Sequence, residues 1–310
     1  MFQIFSLLLV LFFLPALPPA VSQDPPVSEE EDAYVFPEDG PGELTVVYHE
    51  NGKKAREGKL WKGRRHGLWR GFHENGERSF LGRIENYRRI GLWKIYYENG
   101  SPLSEGVIDD GRPSGLWKRW HENGQLLGVG AYDWGKRQGP WVQYQANGFK
   151  HSEGSFKNNR KTGLWVQFDF DGSKMSEGLF KRGKKHGMWT RWHNAEQIMF
   201  TGAFNDDQED GAWKRWHENG QLEAEGSYLL GKEDGPWVTF WETGQAHLKG
   251  SYSGGRRVGP WVRWYASGQK QTEGTYVNGK MHGQTTVWFR DGSVHPDESG
   301  RYVNGERVGP

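Results

Sequence analysis

The chain has 310 residues, 45 of them Gly and 17 Trp, with no Cys and a formal net charge of +1. Only 35% of residues are hydrophobic while 15% are aromatic, so the expected core is rings on glycine, not the aliphatic packing of a layered α/β enzyme. The absence of cysteine excludes a disulfide scaffold, a thiol nucleophile, a thiolate zinc site and a lipid-modified N-terminal Cys.

Residues 1–22 read as a secretory signal peptide. An apolar run from Ile4 to Leu14 is followed by prolines and by Ala20-Val21-Ser22, which sets small residues at −3 and −1 of a cleavage site between Ser22 and Gln23. The run is too short to span a bilayer comfortably. The expected destination is secreted, periplasmic or cell-surface. Residues 23–42 are acidic and proline-rich with no Lys or Arg, as expected of an extended, solvated linker. Residues 43–310 hold all 40 basic residues and 32 of the 39 acidic ones, which leaves them at +8.

From residue 43 onward one pattern repeats every 24 residues, about eleven times. Glycines recur without a slip from Gly67 to Gly283, and two residues after them come Trp69, Trp93, Trp117, Trp141, Trp165, Trp189, Trp213, Trp237 and Trp261. Each copy holds two strand-like stretches and two turns. Asn-Gly between aromatic flanks, as at Asn99-Gly100 and Asn123-Gly124, predicts a two-residue type I′ hairpin turn. That length sets Trp93 opposite Gly106, Lys94 opposite Glu105, Trp117 opposite Gly130 and Lys214 opposite Glu225, so that rings lie over bare backbone and the last pair forms an ion pair. A longer loop would break this register. The second turn, at Gly111, Gly135 and their equivalents, calls for positive φ; Asn159 and Asp207 suit it, whereas Tyr87 predicts a locally different turn.

The expected fold is all-β: an elongated, twisted antiparallel β-hairpin array of roughly 22 strands, ~100 Å long at ~4.8 Å per strand. With no second layer, the ribbon is expected to curl around its Trp and Tyr/Phe rings. Thr45 and Thr285 stand in the Trp slot at the two ends, and the register slips at Val294–Gly300. Both ends therefore read as caps.

Residues 91–114, 115–138 and 211–234 resemble the MORN repeat, and more closely its bacterial variant, almost position for position. The likeness extends over 43–310, with Ala195-Glu196 in place of one Asn-Gly and no Trp in the final unit. The resemblance implies a MORN-like solenoid that serves as a scaffold or binding surface without catalysis or cofactor. It also brings an antitoxin-type inhibitory role, which fits poorly with an export signal.

Candidate chemistry outside the repeat is sparse. His49, His73, His121, His193 and His217 share one repeat position, as do Glu57, Glu105, Glu153, Glu177, Glu225 and Glu273, so periodicity accounts for both sets. Asp206, Asp207, Glu209 and Asp210 lack the alternating spacing of a calcium loop. Phosphate-cradling and nucleophile-elbow motifs are missing from the sequence, and no metal site or enzyme is expected. Trp120, Tyr144, Phe168, Trp192, Trp216, Phe240 and Trp264 should form a row on the face opposite the G-x-W tryptophans, available to a protein partner or to a cell-wall or extracellular glycan. Trp134, His151, Phe204–Asp210, Trp241 and Val294–Gly300 break the repeat and could carry specificity. Nucleic acid is not expected for an exported chain. An anionic membrane surface is disfavoured because the charges look spread around the unit.

Overall fold

The computed structural model describes residues 41–310; the expected signal peptide, its expected Ser22–Gln23 cleavage site and nearly all of the expected acidic linker lie outside them. Within the described residues 25 strands run antiparallel in chain order, each bonded to its neighbours, except that Lys232–Glu233 and Gly235–Phe240 share one partner strand, as do Lys280–Met281 and Gly283–Val287. Eleven hairpins account for 22 of them. The rest come from interruptions at Asp234 and His282 and from one closing strand, Glu306–Gly309. The sheet is open and uncurled: Glu43–Tyr48 and Glu306–Gly309 each pair on one side only. The expected curl is therefore absent. The rings are buried by one another and by long cationic side chains, so the ribbon does not have to wrap around them.

The predicted register holds. Trp93 pairs with Gly106, Lys94 with Glu105, Trp117 with Gly130 and Gly115 with Tyr132. Lys214 Nζ lies 3.3 Å from Glu225 Oε2, as expected for that pair. The turn behind this register is not the predicted one. Gly100 N–H donates to Tyr97 O (3.0 Å) and Tyr97 N–H to Ser101 O (2.8 Å), which encloses three residues. Gly100 has φ 82° while Asn99 does not take a positive φ, so the loop is a type I turn with a left-handed glycine bulge. A three-residue loop would offset the ladder by one. The returning strand restores it by leaving Leu103 unpaired, since Tyr96 pairs with Pro102 but Ile95 with Ser104. The same compensating bulge recurs down the array, for example between Arg119 and Trp120.

The two-residue type I′ turn exists, but at the other end of the strands. Asp109 pairs with Arg112 across Asp110 (φ 47°) and Gly111 (φ 79°). Tyr87 adopts the same turn, with φ 67° after Asn86 at φ 48°, and the flanking pair Glu85–Arg88 is kept. The turn predicted to differ does not. The ladder bonds on both sides dictate the conformation, and the Arg64 guanidinium stacks 5.0 Å from the Tyr87 ring centre. The Ala195-Glu196 copy also keeps its hairpin: His193 N–H donates to Gln197 O (2.8 Å), and Asn194 Oδ1 accepts from both Glu196 and Gln197 N–H.

The core is one column of rings on one face. Most G-x-W tryptophans pair with a glycine on both sides, and each ring leans back over the earlier glycine: a Cβ on Gly82 would stand 2.3 Å from Trp93 Cδ2, and one on Gly106 2.3 Å from Trp117 Cδ2. Its indole N–H follows, as in Trp117 Nε1 to Val107 O at 3.0 Å. Between successive tryptophans stands a Tyr or Phe. The chain Trp141–Phe156–Trp165–Phe180–Trp189 meets edge to face at centroid distances of 5.9, 5.0, 6.2 and 5.1 Å. Such contacts add about 0.5–1.5 kcal/mol each beyond area burial. At the N-terminal end Ile84 and Ile108 take the place of the intervening ring. At the C-terminal cap Thr285, 1% exposed, fills the Trp slot, and the Val294–Gly300 insertion is tied down by His295 N–H to Val287 O (2.8 Å) and by Arg307 to the carbonyls of Ser299 and Pro296.

Candidate binding surfaces

The ribbon offers two faces and two edges. On the ring face the G-x-W tryptophans are mostly sealed: Trp69, Trp93, Trp141, Trp165, Trp189, Trp213 and Trp261 are buried, and Trp117 and Trp237 half-buried. They hold the sheet together and leave little ring surface to a ligand. Cations roof this column. Arg89 lies 4.6 Å from the Trp93 ring centre, Lys161 4.1 Å from Trp165, Lys185 4.6 Å from Trp189 and Arg257 4.7 Å from Trp261.

Strand alternation puts Trp120, Tyr144, Phe168, Trp192, Trp216, Phe240 and Trp264 on the opposite face, three residues beyond each Trp. All seven are half-buried. Some are partly covered by a lysine from the returning strand, Lys150 standing 5.9 Å from Phe168 and Lys174 5.9 Å from Trp192. Beside the row runs a second stripe that the sequence reading did not single out. Leu116 pairs with Ala131 and Leu164 with Leu179, and Val107, Leu116, Leu164, Leu179 and Met188 are 44–59% exposed. The signal was present in the sequence: the residue between Gly and Trp in each copy is apolar or proline through most of the array.

The edge carrying the three-residue turns is a hydrogen-bonded ladder between units. Asn75 Oδ1 accepts from Glu77 N–H (2.9 Å), closing its own turn, while Asn99 Nδ2 donates to Glu122 O in the next unit (3.0 Å). The histidine just before the turn bridges in the same direction: Nε2 of His49, His73, His121, His193 and His217 lies 2.8–3.0 Å from the carbonyl of the residue 23 positions on. A carbonyl can only accept, so Nε2 carries the proton. The histidine row is thereby committed to structure, and Tyr97, Trp241 and Tyr265 do the same work in other copies.

The acidic turn is likewise used locally. Asp206 and Asp207 adopt φ 51° and 74°, Asp207 Oδ1 accepts from Lys185 N–H at 2.7 Å, and Asp206 Oδ2 lies 3.7 Å from Lys184 Nζ. Of the other irregular positions, Trp134 is 58% exposed at a turn tip and Trp241 packs at a tilt against His247, whose pKa burial and then Arg263 push down. Among the described residues no group of three or more His, Asp or Glu is placed to hold a metal ion.

Hairpins closed alternately by a three-residue and a two-residue turn, sealed by one ring column, define a β-hairpin repeat array whose available chemistry is surface contact. Four stretches, residues 89–110, 113–133, 209–229 and 257–278, match the family described as MORN repeat variant. The chain therefore carries MORN repeats of that variant type at these four stretches. No curated protein matches it. Among solved structures it is similar to a chain in the crystal structure of TcdB2-TccC3-Cdc42 (10% identity, 79% of this chain and 15% of that one, TM-score 0.18). It is also similar to one in the Photorhabdus luminescens Tc holotoxin pore (10% identity, 85% and 16%, TM-score 0.17). The chain thus spans about one-sixth of the length of those structures.

Proposed function

We propose that this protein is an exported, non-enzymatic scaffold that holds a protein partner on the face bearing the aromatic row. The observation that carries this reading is the apolar stripe of Leu116, Leu164, Leu179 and Met188, exposed on a rigid sheet that has no use for them in its own core. Half-buried rings of the adjoining row, Trp120 to Trp264, flank the stripe and supply the aromatic contacts in which interface binding energy concentrates. Lys–Glu pairs such as Lys150–Glu153 (2.8 Å) and Lys174–Glu177 (2.9 Å) give the stripe a charged border. MORN repeats are in general binding repeats, which agrees with this reading. The Ile4–Leu14 run and the small residues before Gln23 support export.

The test is capture from the native envelope fraction with the full-length protein and with a Leu164→Ser/Leu179→Ser/Met188→Ser variant. A protein recovered near stoichiometry by the parent and lost by the variant, at an unchanged unfolding midpoint, is the expected result. Equal recovery by both would remove the stripe from the interface. The second reading is a neutral wall glycan lying along the row, supported by the regular spacing of the seven rings. Recovery of polysaccharide without protein, abolished by Trp192→Ala/Trp216→Ala/Trp264→Ala, would favour it.

A further inference from the structure

The edge made by the two-residue turns is far from uniform in charge. In mid-array three alternate strands open with a pair of cations: Lys136–Arg137, Arg160–Lys161 and Lys184–Lys185. A shallow recess between the turns there is lined by five cations, Lys157 and Arg182 among them, together with Asn158 and Thr162, and by no carboxylate. The acids of this part of the chain are held elsewhere. Glu153 and Glu177 are paired to Lys150 and Lys174 on the face opposite the rings. Asp133 precedes the cationic stretch, and Asp206 and Asp207 close it. The charge that looked evenly spread in the sequence is concentrated by the fold, because alternation separates the carboxylates from the lysines and arginines beside the turns.

These cations are also positioned. The Arg137 guanidinium sits 4.0 Å from the Phe156 ring centre, Lys161 lies over both Trp165 (4.1 Å) and Phe180 (5.0 Å), and Lys185 over Trp189 (4.6 Å) and Phe204 (4.8 Å). The ring column therefore fixes one cation per unit. Asp206, 3.7 Å from Lys184, offsets only part of their repulsion: the Lys161 ammonium is destabilised by burial and then by Arg137 and Lys185. A bound polyanion would relieve it.

We infer that this edge, from Lys136 to Lys185, binds a linear acidic polysaccharide laid along the ribbon, its carboxylate or sulfate groups taken up one turn after another. Equivalent cations recur every second strand, about 9.6 Å apart at ~4.8 Å per strand. That spacing suits an extended sugar chain with acidic groups on every ring or every second ring, which presents one at each unit. Duplex DNA, with one charge per ~1.7 Å of axis, presents its charge several times more densely. Trp134 stands at the adjoining turn tip beside Lys136, more than half exposed, with Arg112 5.5 Å from its ring centre on one side. An exposed indole next to a cation pair is the arrangement that holds an acidic sugar by ring stacking and charge together. The site lies on a different surface from the apolar stripe and does not depend on it.

Binding of the full-length protein to a short heparin oligosaccharide, which is sulfated, and to a polygalacturonate of matched length, which bears carboxylates only, would be measured by calorimetry at several salt concentrations up to about 0.15 M. Three variants would be compared. Lys157→Gln/Arg160→Gln/Arg182→Gln removes exposed edge cations, none of which roofs a ring of the core column. Lys118→Gln/Lys214→Gln/Lys249→Gln removes the same charge from the opposite face. Trp134→Ala removes the ring.

The edge variant should bind at least one of the two glycans about tenfold or more weakly and with a shallower salt dependence, as expected when counterion release is lost. The opposite-face variant should change affinity less than about twofold. Trp134→Ala should weaken binding severalfold at unchanged salt dependence. Which glycan binds more tightly identifies sulfate or carboxylate as the group recognised. Equal losses in the two triple variants would overturn the proposal, as would no binding of either glycan at the lowest salt. So would equal or tighter binding, with the same edge dependence, to single-stranded DNA or to phosphatidylserine-containing vesicles. Any of these outcomes leaves the partner stripe untouched, because Leu164, Leu179 and Met188 are intact in every variant.

Discussion

Gly154→Ala is the sharpest probe of how the array holds together. A Cβ on Gly154 would stand 2.3 Å from Trp165 Cδ2, more than 1 Å inside ordinary carbon contact. The ring has no free direction in which to move. Trp165 is 2% exposed, its Nε1 donates to Ser155 O at 3.0 Å, its ring meets Phe156 and Phe180 edge to face, and Lys161 lies on it. Overpacking costs about 1–3 kcal/mol, and displacing the ring adds about 1 kcal/mol for the hydrogen bond and part of two aromatic contacts. The expected loss is about 3–5 kcal/mol, comparable to Trp165→Ala itself.

The two changes should be strongly non-additive. Once the ring is gone the Cβ meets nothing, so Gly154→Ala in the Trp165→Ala background should be neutral, or stabilising by about 0.5–1 kcal/mol. Gly163→Ala is the control: its φ is 67° and nothing lies within 4 Å of its Cβ, so its cost of about 1–2 kcal/mol is conformational and should not change when Trp165 is removed. Because repeat arrays open locally, the parent and these variants are best compared by native-state amide exchange in the strands Lys150–Lys157 and Arg160–Phe168. Additive losses for Gly154→Ala and Trp165→Ala would refute the view that the glycine is there to receive the ring.

Three further outcomes are expected. Tyr87→Gly should stabilise its hairpin by about 1 kcal/mol, since a left-handed Tyr costs about 1–2 kcal/mol and the Arg64 stacking lost is worth about 0.5–1 at an exposed site; chemical denaturation would show a higher midpoint. Asn123→Asp keeps the oxygen that caps Gln125 N–H but loses the Nδ2 bond to Ala146 O, so it should cost about 0.5–1.5 kcal/mol in the two units it joins, as read by amide exchange. Lys161 should make its unit less stable at neutral than at alkaline pH. Burial, then Arg137 and Lys185, lower its folded pKa below the ordinary lysine value of 10.5, so the penalty is fully present below the folded pKa and disappears as pH rises through 10.5. Lys161→Gln should flatten the pH dependence of local opening in that window, and an unchanged slope would show that the ammonium is not strained.

The sequence by itself determined the period, the number of hairpins, the pairing register, the Trp-over-glycine core and the Lys214–Glu225 pair. Each follows from alternation along a strand and from spacing between turns, both of which are local. The register was legible although the turn was not. A three-residue loop and a bulge at Leu103 displace the ladder in opposite directions by one residue and cancel, leaving Trp93 on Gly106 as a two-residue turn would. Only the tertiary structure decided where the type I′ turn falls, that Tyr87 can occupy it, and that the ribbon stays open. These depend on what neighbouring units supply: ladder bonds that impose a backbone conformation on Tyr87, and cations that cover the rings without a second layer. The same holds for the surfaces. The histidines read as a row in the sequence, but the carbonyl 23 residues on, which consumes each of them, is visible only when the units are stacked. The charges read as spread because the sequence interleaves Lys and Glu, while the fold holds Glu153 and Glu177 on one face and gathers the cations of Lys136–Lys185 along one edge.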